Sequence, residues 1–158
     1  MAIYDLPEGQ FDVAGARFGI IAARFNHAVV ERLLASALAA FARHGVGAQS
    51  LDIVRVPGAF ELPLAAMILG RRDDLAAVVT LGCVIRGGTP HFEYVCAESA
   101  RGVGAAALAL DKPVIFGVLT TDDQAQADAR AGGAHGNKGE EAALAALEMV
   151  SVLRAVGS

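Results

Sequence analysis

The chain has 158 residues, enough for one domain with a proper core, and no repeat or composition shift divides it. Apolar residues make up 54% and charged residues only 19%, so a well-covered sheet and burial against copies of the same chain are both expected. A net charge of −4 argues against a nucleic-acid surface, so any phosphate must be held locally, by a helix end or by single cations.

No apolar run reaches the length of a membrane span, and Met1 to Gln10 lacks the charged-then-apolar order of a signal peptide. A cytoplasmic protein with no membrane partner is expected. Cys83 and Cys96 are the two cysteines, and they read as reduced core residues rather than a disulfide. With four scattered histidines, they supply no metal-ligand spacing, and no Walker-type phosphate loop occurs.

In chain order, Met1 to Ala16 has Pro7, Gly9 and Gly15 and little periodicity. It reads as an arm that frays or adds a strand to a neighbour's sheet edge, leaving residues 17–158 as the single domain. Phe18 to Ala23 is the first buried strand, and Asn26 is placed to N-cap the next helix. That helix carries Val29, Leu33, Ala37 and Phe41 at helical spacing and ends at Arg43-His44-Gly45. His44 thereby has a structural explanation.

Leu51 to Val56 is the second strand, leading through Pro57-Gly58-Ala59-Phe60-Glu61 into a helix from about Glu61 to Gly70. Ala76 to Ile85 is the third, nearly all apolar as a strand covered on both faces should be. Gly87 and Gly88 form a tight turn able to use positive φ, Thr89 suits an N-cap, and Pro90 suits the first helical position. The helix runs to about Leu110, with Gly102 and Gly104 suggesting close helix packing.

Pro113 to Leu119 is the fourth strand. Thr121-Asp122-Asp123-Gln124 has capping-box spacing and opens a short helix ending near Gly132-Gly133. Asn137-Lys138-Gly139-Glu140 caps the last helix, through Leu144, Leu147, Val150 and Leu153.

Buried strands alternating with helices imply an α/β fold with a parallel sheet between helix layers. Ligands in such folds sit beyond the carboxyl ends of the strands, where Phe25, Gly58 to Glu61 and Gly87 to His91 all fall. Gly88 and Thr89 sit where a helix N-terminus would hold an anion, and His91, in that first turn, is placed to move protons. Phe25 is either a staple on the helix start or a ring that stacks on a flat heterocycle. Glu61 is either a solvated first-turn acid or an acceptor for a polyol. Taken singly, Phe116 passes as core, Arg130 as a helix-end cation and Lys138 as a loop charge, while His27 and His135 suggest no chemistry.

The run Leu81-Gly82-Cys83-Val84-Ile85-Arg86 followed, from Gly87, by Gly-X-Thr-X-His-Phe resembles the signature of the 6,7-dimethyl-8-ribityllumazine synthase family. The resemblance extends from about Phe18 to Arg154. It implies a flavodoxin-like αβα sandwich with a four-stranded parallel sheet. The activity implied is condensation of 5-amino-6-(D-ribitylamino)uracil with 3,4-dihydroxy-2-butanone 4-phosphate, releasing phosphate and water, as the penultimate step of riboflavin biosynthesis.

By the same resemblance Phe25, with Asn26 beside it, stacks on the pyrimidine, and Gly58, Ala59 and Glu61 hold the ribityl chain. Cys83, Val84 and Ile85 line the pyrimidine pocket through backbone groups, Gly88 and Thr89 hold phosphate, and His91 transfers protons. Phe116, Arg130 and Lys138 reach the site from the adjacent subunit, the arginine meeting the phosphate. No metal or organic cofactor is implied. A homo-oligomer is: a pentamer, or twelve pentamers in an icosahedral shell, to which the compact Gly132–Gly139 loop leans. Riboflavin synthase is a candidate protein partner. Two rivals stand beside this reading: an archaeal-type riboflavin synthase of the same fold, and a non-catalytic flavin-binding shell protein.

Overall fold

A computed structural model describes residues 1–158 except Ala2, Glu8 and Ser158, so those positions of the expected arm and domain lie outside the described residues. Phe18–Ala23 forms β1, and every residue in it is buried, as a central parallel strand requires. His27–Arg43 is α1, Leu51–Val56 is β2, Leu62–Gly70 is α2, Ala77–Ile85 is β3 and His91–Leu110 is α3. Val114–Thr121 is β4, Gln124–Ala129 is α4, Ala131–Gly133 is β5, Gly136–Asn137 is β6 and Lys138–Val156 is α5.

Strands β1 to β4 pair in parallel in the order β2-β1-β3-β4. Period-two alternation along them divides the core. Ile20, Val79 and Leu81 turn towards α1 and α5, whereas Ile21 and Val78 turn towards α2 and α3. The result is the expected α/β sandwich. Its chain leaves β1 first towards β2, then returns to the other side of β1 as β3. That reversal opens a crevice beyond the carboxyl ends of β1 and β3, where open α/β sheets bind ligands.

On the first face α1 and α5 meet backbone to backbone. A Cβ on Gly139 would stand 1.9 Å from the Leu33 carbonyl oxygen, so only glycine fits. On the second face a Cβ on Gly102 would come within 2.6 Å of Pro63, so that glycine does let α3 lie close on α2. Gly104 meets nothing within 4 Å and has no such role.

Several local expectations shift. Asn26 is at the start of α1, but its side chain makes no cap hydrogen bond. Thr121 ends β4 and is buried, and Asp123 caps α4 by accepting from the Gln126 amide at 2.8 Å. α4 stops at Ala129, and the glycines after it belong to the β5–β6 hairpin, with Gly132 and Gly136 at positive φ. Asn137 does cap α5, its Oδ1 accepting from the Gly139 amide at 2.8 Å. Within the arm, Phe11 packs edge-on against His44 at 4.9 Å and Val13 and Ala16 are buried, while Ile3 and Tyr4 stay exposed.

Candidate active site

Beyond the strand ends lies an open cleft of about 630 Å³. Register explains its floor. The β1–β3 ladder stops at Ala22 and Leu81, whereas the β3–β4 ladder continues to Ile85 and Thr121. Cys83, Val84 and Ile85 therefore overhang β1 with no strand partner on that side, and all three line the cleft.

One wall comes from the β1 and β2 exits. The Arg24 and Phe25 amides donate to the Val56 and Pro57 carbonyls at 2.8 and 3.0 Å, carrying the pairing past both strands. Phe25 then turns its ring outwards, 71% exposed, a poor outcome for an apolar side chain without a guest. A Cβ on Gly58 would lie 3.3 Å from the Glu61 carboxylate and 4.0 Å from the Phe25 Cβ, so Phe25, Gly58 and Glu61 form one tight group. Ala59 completes this wall.

Asn26 acts elsewhere than expected. At φ 56° it sits in the left-handed region that asparagine tolerates, and its Nδ2 donates to the Cys83 carbonyl at 2.8 Å. It does not line the cleft but ties the β1 exit to the overhang of β3. The Cys83 thiol is pushed up to about 11, chiefly by burial and then by the Asp128 carboxylate, so it stays protonated at neutral pH and is no nucleophile.

The opposite wall is the turn into α3. The N-cap position belongs to Pro90 rather than Thr89, and no side chain caps the helix. Gly87 and Gly88 do not use positive φ, and a Cβ on either would meet nothing within 4 Å. The chain's own fold therefore does not demand these glycines, and they leave open space above the turn. Gly87, Thr89 and His91 line the cleft, while Gly88 itself does not.

Phe92, which ends the motif but carries no expected role, and Tyr94 and Val95 beyond it also line the cleft. Tyr94 and Val95 follow His91 by three and four residues, so helical spacing from the histidine would have found them. Among the described residues no group of three or more His, Cys, Asp or Glu side chains converges to hold a metal.

A profile of the family described as 6,7-dimethyl-8-ribityllumazine synthase matches residues 15–154. The 6,7-dimethyl-8-ribityllumazine synthase of Aquifex aeolicus (strain VF5) is 47% identical over 156 residues, 99% of each chain. The chain belongs to the lumazine synthase family. It is a transferase-type enzyme of riboflavin biosynthesis.

The remaining expected site residues stand apart from the cleft of their own chain. Phe116 is on the edge strand β4, 38% exposed. Arg130 follows α4 and its guanidinium donates to the Gln126 carbonyl at 3.0 Å. Lys138 opens α5 and pairs with Glu141 at 2.7 Å. The hairpin brings the backbones of these two residues together, the Lys138 amide donating to the Arg130 carbonyl at 2.9 Å. None of the three lines the cleft.

Proposed function

We propose that this cleft is the lumazine-forming site and that it is completed by a second copy of the chain. The observation that supports this best is the coincidence, in one cleft, of an outward aromatic ring, an unpaired strand edge and an uncapped helix start beside His91. The pyrimidine of 5-amino-6-(D-ribitylamino)uracil stacks on Phe25 and meets the backbone of Cys83, Val84 and Ile85. Glu61 accepts from the ribityl hydroxyls, with Gly58 and Ala59 beside it. The phosphate of the butanone substrate sits at Gly87–Thr89 on the start of α3.

The ring amine condenses with the ketone, phosphate leaves, and the ribitylamino nitrogen closes the second ring with loss of water. Little in this sequence needs a strong catalyst. Holding two reactants in register supplies most of the acceleration, and His91 assists the proton transfers.

Phe116, Arg130 and Lys138 face a neighbouring copy's cleft in this reading, Arg130 meeting the phosphate. Exposed Phe60, Leu64, Ile68, Tyr94 and Leu108 on and around α2 and α3 give that copy an apolar face to bury. The N-terminal arm, cytoplasmic placement, a pentamer or twelve-pentamer shell, and riboflavin synthase as the partner consuming the product belong to the same proposal.

The test is lumazine formation by wild type, Arg130→Ala and a no-protein blank. Wild type should exceed the blank, and Arg130→Ala should raise the phosphate-substrate KM roughly tenfold or more, the worth of a charge-assisted hydrogen bond. Mixed assemblies of Phe25→Ala and Arg130→Ala chains should show more activity at limiting substrate than either variant alone. Absence of that rescue in folded mixed oligomers would sink the shared site, and a rate equal to the blank would favour the binding-shell reading.

A further inference from the structure

The turn from Gly87 to Pro90 has little internal support: its residues are exposed, and Glu93 N to Pro90 O at 3.0 Å closes only its far end. What holds it in place is one side chain. Arg86, the last residue before the turn, donates through Nε to Asp122 at 2.9 Å and through Nη1 to Glu93. Its guanidinium carbon lies 4.3 Å above the centre of the Phe92 ring, and its backbone amide donates to the Thr121 carbonyl at 2.8 Å. The receiving side is itself fixed, since the Asp122 amide donates to the Gln126 side chain at 3.0 Å.

Arg86 thus joins three pieces of the fold: the end of β3, the first turn of α3 on both sides of its ion pair, and the β4–α4 junction. A planar fork with several donors can bridge two carboxylates and stack on a ring at once, which a lysine cannot do. Both carboxylates raise the arginine's pKa, Asp122 most, and Arg86 holds Glu93 below the usual range, so the Arg86–Glu93 pair is charged at neutral pH. The same contacts neutralise one of two acids beside the turn proposed for phosphate.

We propose that Arg86 is a positioning residue that pre-forms the phosphate turn and sets His91 against it, without touching substrate. This rests on the lumazine-forming reading above.

The experiment compares wild type, Arg86→Met, Arg86→Lys and the triple variant Arg86→Met/Glu93→Gln/Asp122→Asn as assembled full chains. Arg86→Met should raise the phosphate-substrate KM about tenfold and weaken inorganic phosphate binding in parallel, with the ribitylaminouracil KM changed less than twofold, as expected for a shifted subsite. Arg86→Lys should recover only part of the loss. The triple variant, which removes both acids left unpaired as well as the fork, should stay impaired.

Recovery of the wild-type KM by the triple variant would reduce Arg86 to charge balance and overturn positioning. Unchanged KM values in Arg86→Met, or equal changes for both substrates with a lowered Tm, would overturn it too. Should Arg86→Met fail to fold, the Arg86→Lys split between the two KM values decides. If wild type makes no lumazine but binds phosphate, the functional reading fails while the phosphate arm still tests the turn. No phosphate binding by wild type overturns both.

Discussion

The two faces of the sheet are finished to different degrees. Under α1 and α5 the chain completes its own core: Leu33, Phe41 and Leu147 are fully buried, and Gly139 lets the helices touch. Across the sheet, α2 and α3 cover β1 and β3 but leave Leu64 and Ile68 71% and 57% exposed. Edge strand β2 adds exposed Val54 to the same side, in register with Ile21. The cleft opens at the edge of this unfinished face. The difference teaches that one layer serves chiefly to fold the monomer, whereas the other borders the cleft and leaves an apolar surface uncovered.

The comparison breaks hardest at Gly139. Gly139→Ala drives a Cβ into the Leu33 carbonyl, and a loss of about 3 kcal/mol or more is expected, seen as a collapse of the denaturation midpoint. The mirror experiment is Leu64→Glu on the open face. There the chain should keep its circular dichroism while sedimentation shows smaller species, since an exposed leucine contributes little to the monomer's own core. A monomer unfolded by Leu64→Glu would show that the two faces do not divide the work.

Asn26 lies between the faces and sharpens the contrast at the cleft. Asn26→Ala removes the hydrogen bond to Cys83 and leaves a left-handed backbone that alanine disfavours. A cost of about 1–3 kcal/mol is expected by chemical denaturation, with weaker ribitylaminouracil binding as the Phe25 exit loosens.

The smallest effect is acid dependence. Arg55 holds the Glu31 carboxyl below its usual 4.5, and Arg32 holds Asp128 below 3.8. Because folding depresses both, their contribution is fully present above those usual values and is lost as pH falls through the lower folded ones. Tm should therefore be flat from neutral pH to about 5 and decline only below, with Asp128→Asn making the decline slightly shallower. A Tm that rose on acidification through this range would contradict the assignment.

Much of this was legible because it is local. β1, β2 and the Asn137 cap lie where apolar runs and capping chemistry put them, and the run from Leu81 to Phe92 names both a strand end and a helix start. Phe25, Glu61 and His91 were findable because each follows a strand, and in a parallel sheet strand ends share one edge. Tyr94 and Val95 were not legible from the motif because they lie beyond it, on the helix face that His91 begins.

The sequence by itself determined the order of the four sheet strands and five helices, the α/β class and the family, since hydrophobic period, turn chemistry and a dense motif depend on near neighbours. Only the tertiary structure decided that Asn26 would leave its helix to hold Cys83, 57 residues away. It likewise decided that a glycine hairpin would set Arg130 beside Lys138, and that Arg86 would face Asp122 and Glu93 together. Those pairings join residues whose meeting depends on sheet register and helix docking. No local propensity encodes them; burial of the whole core does.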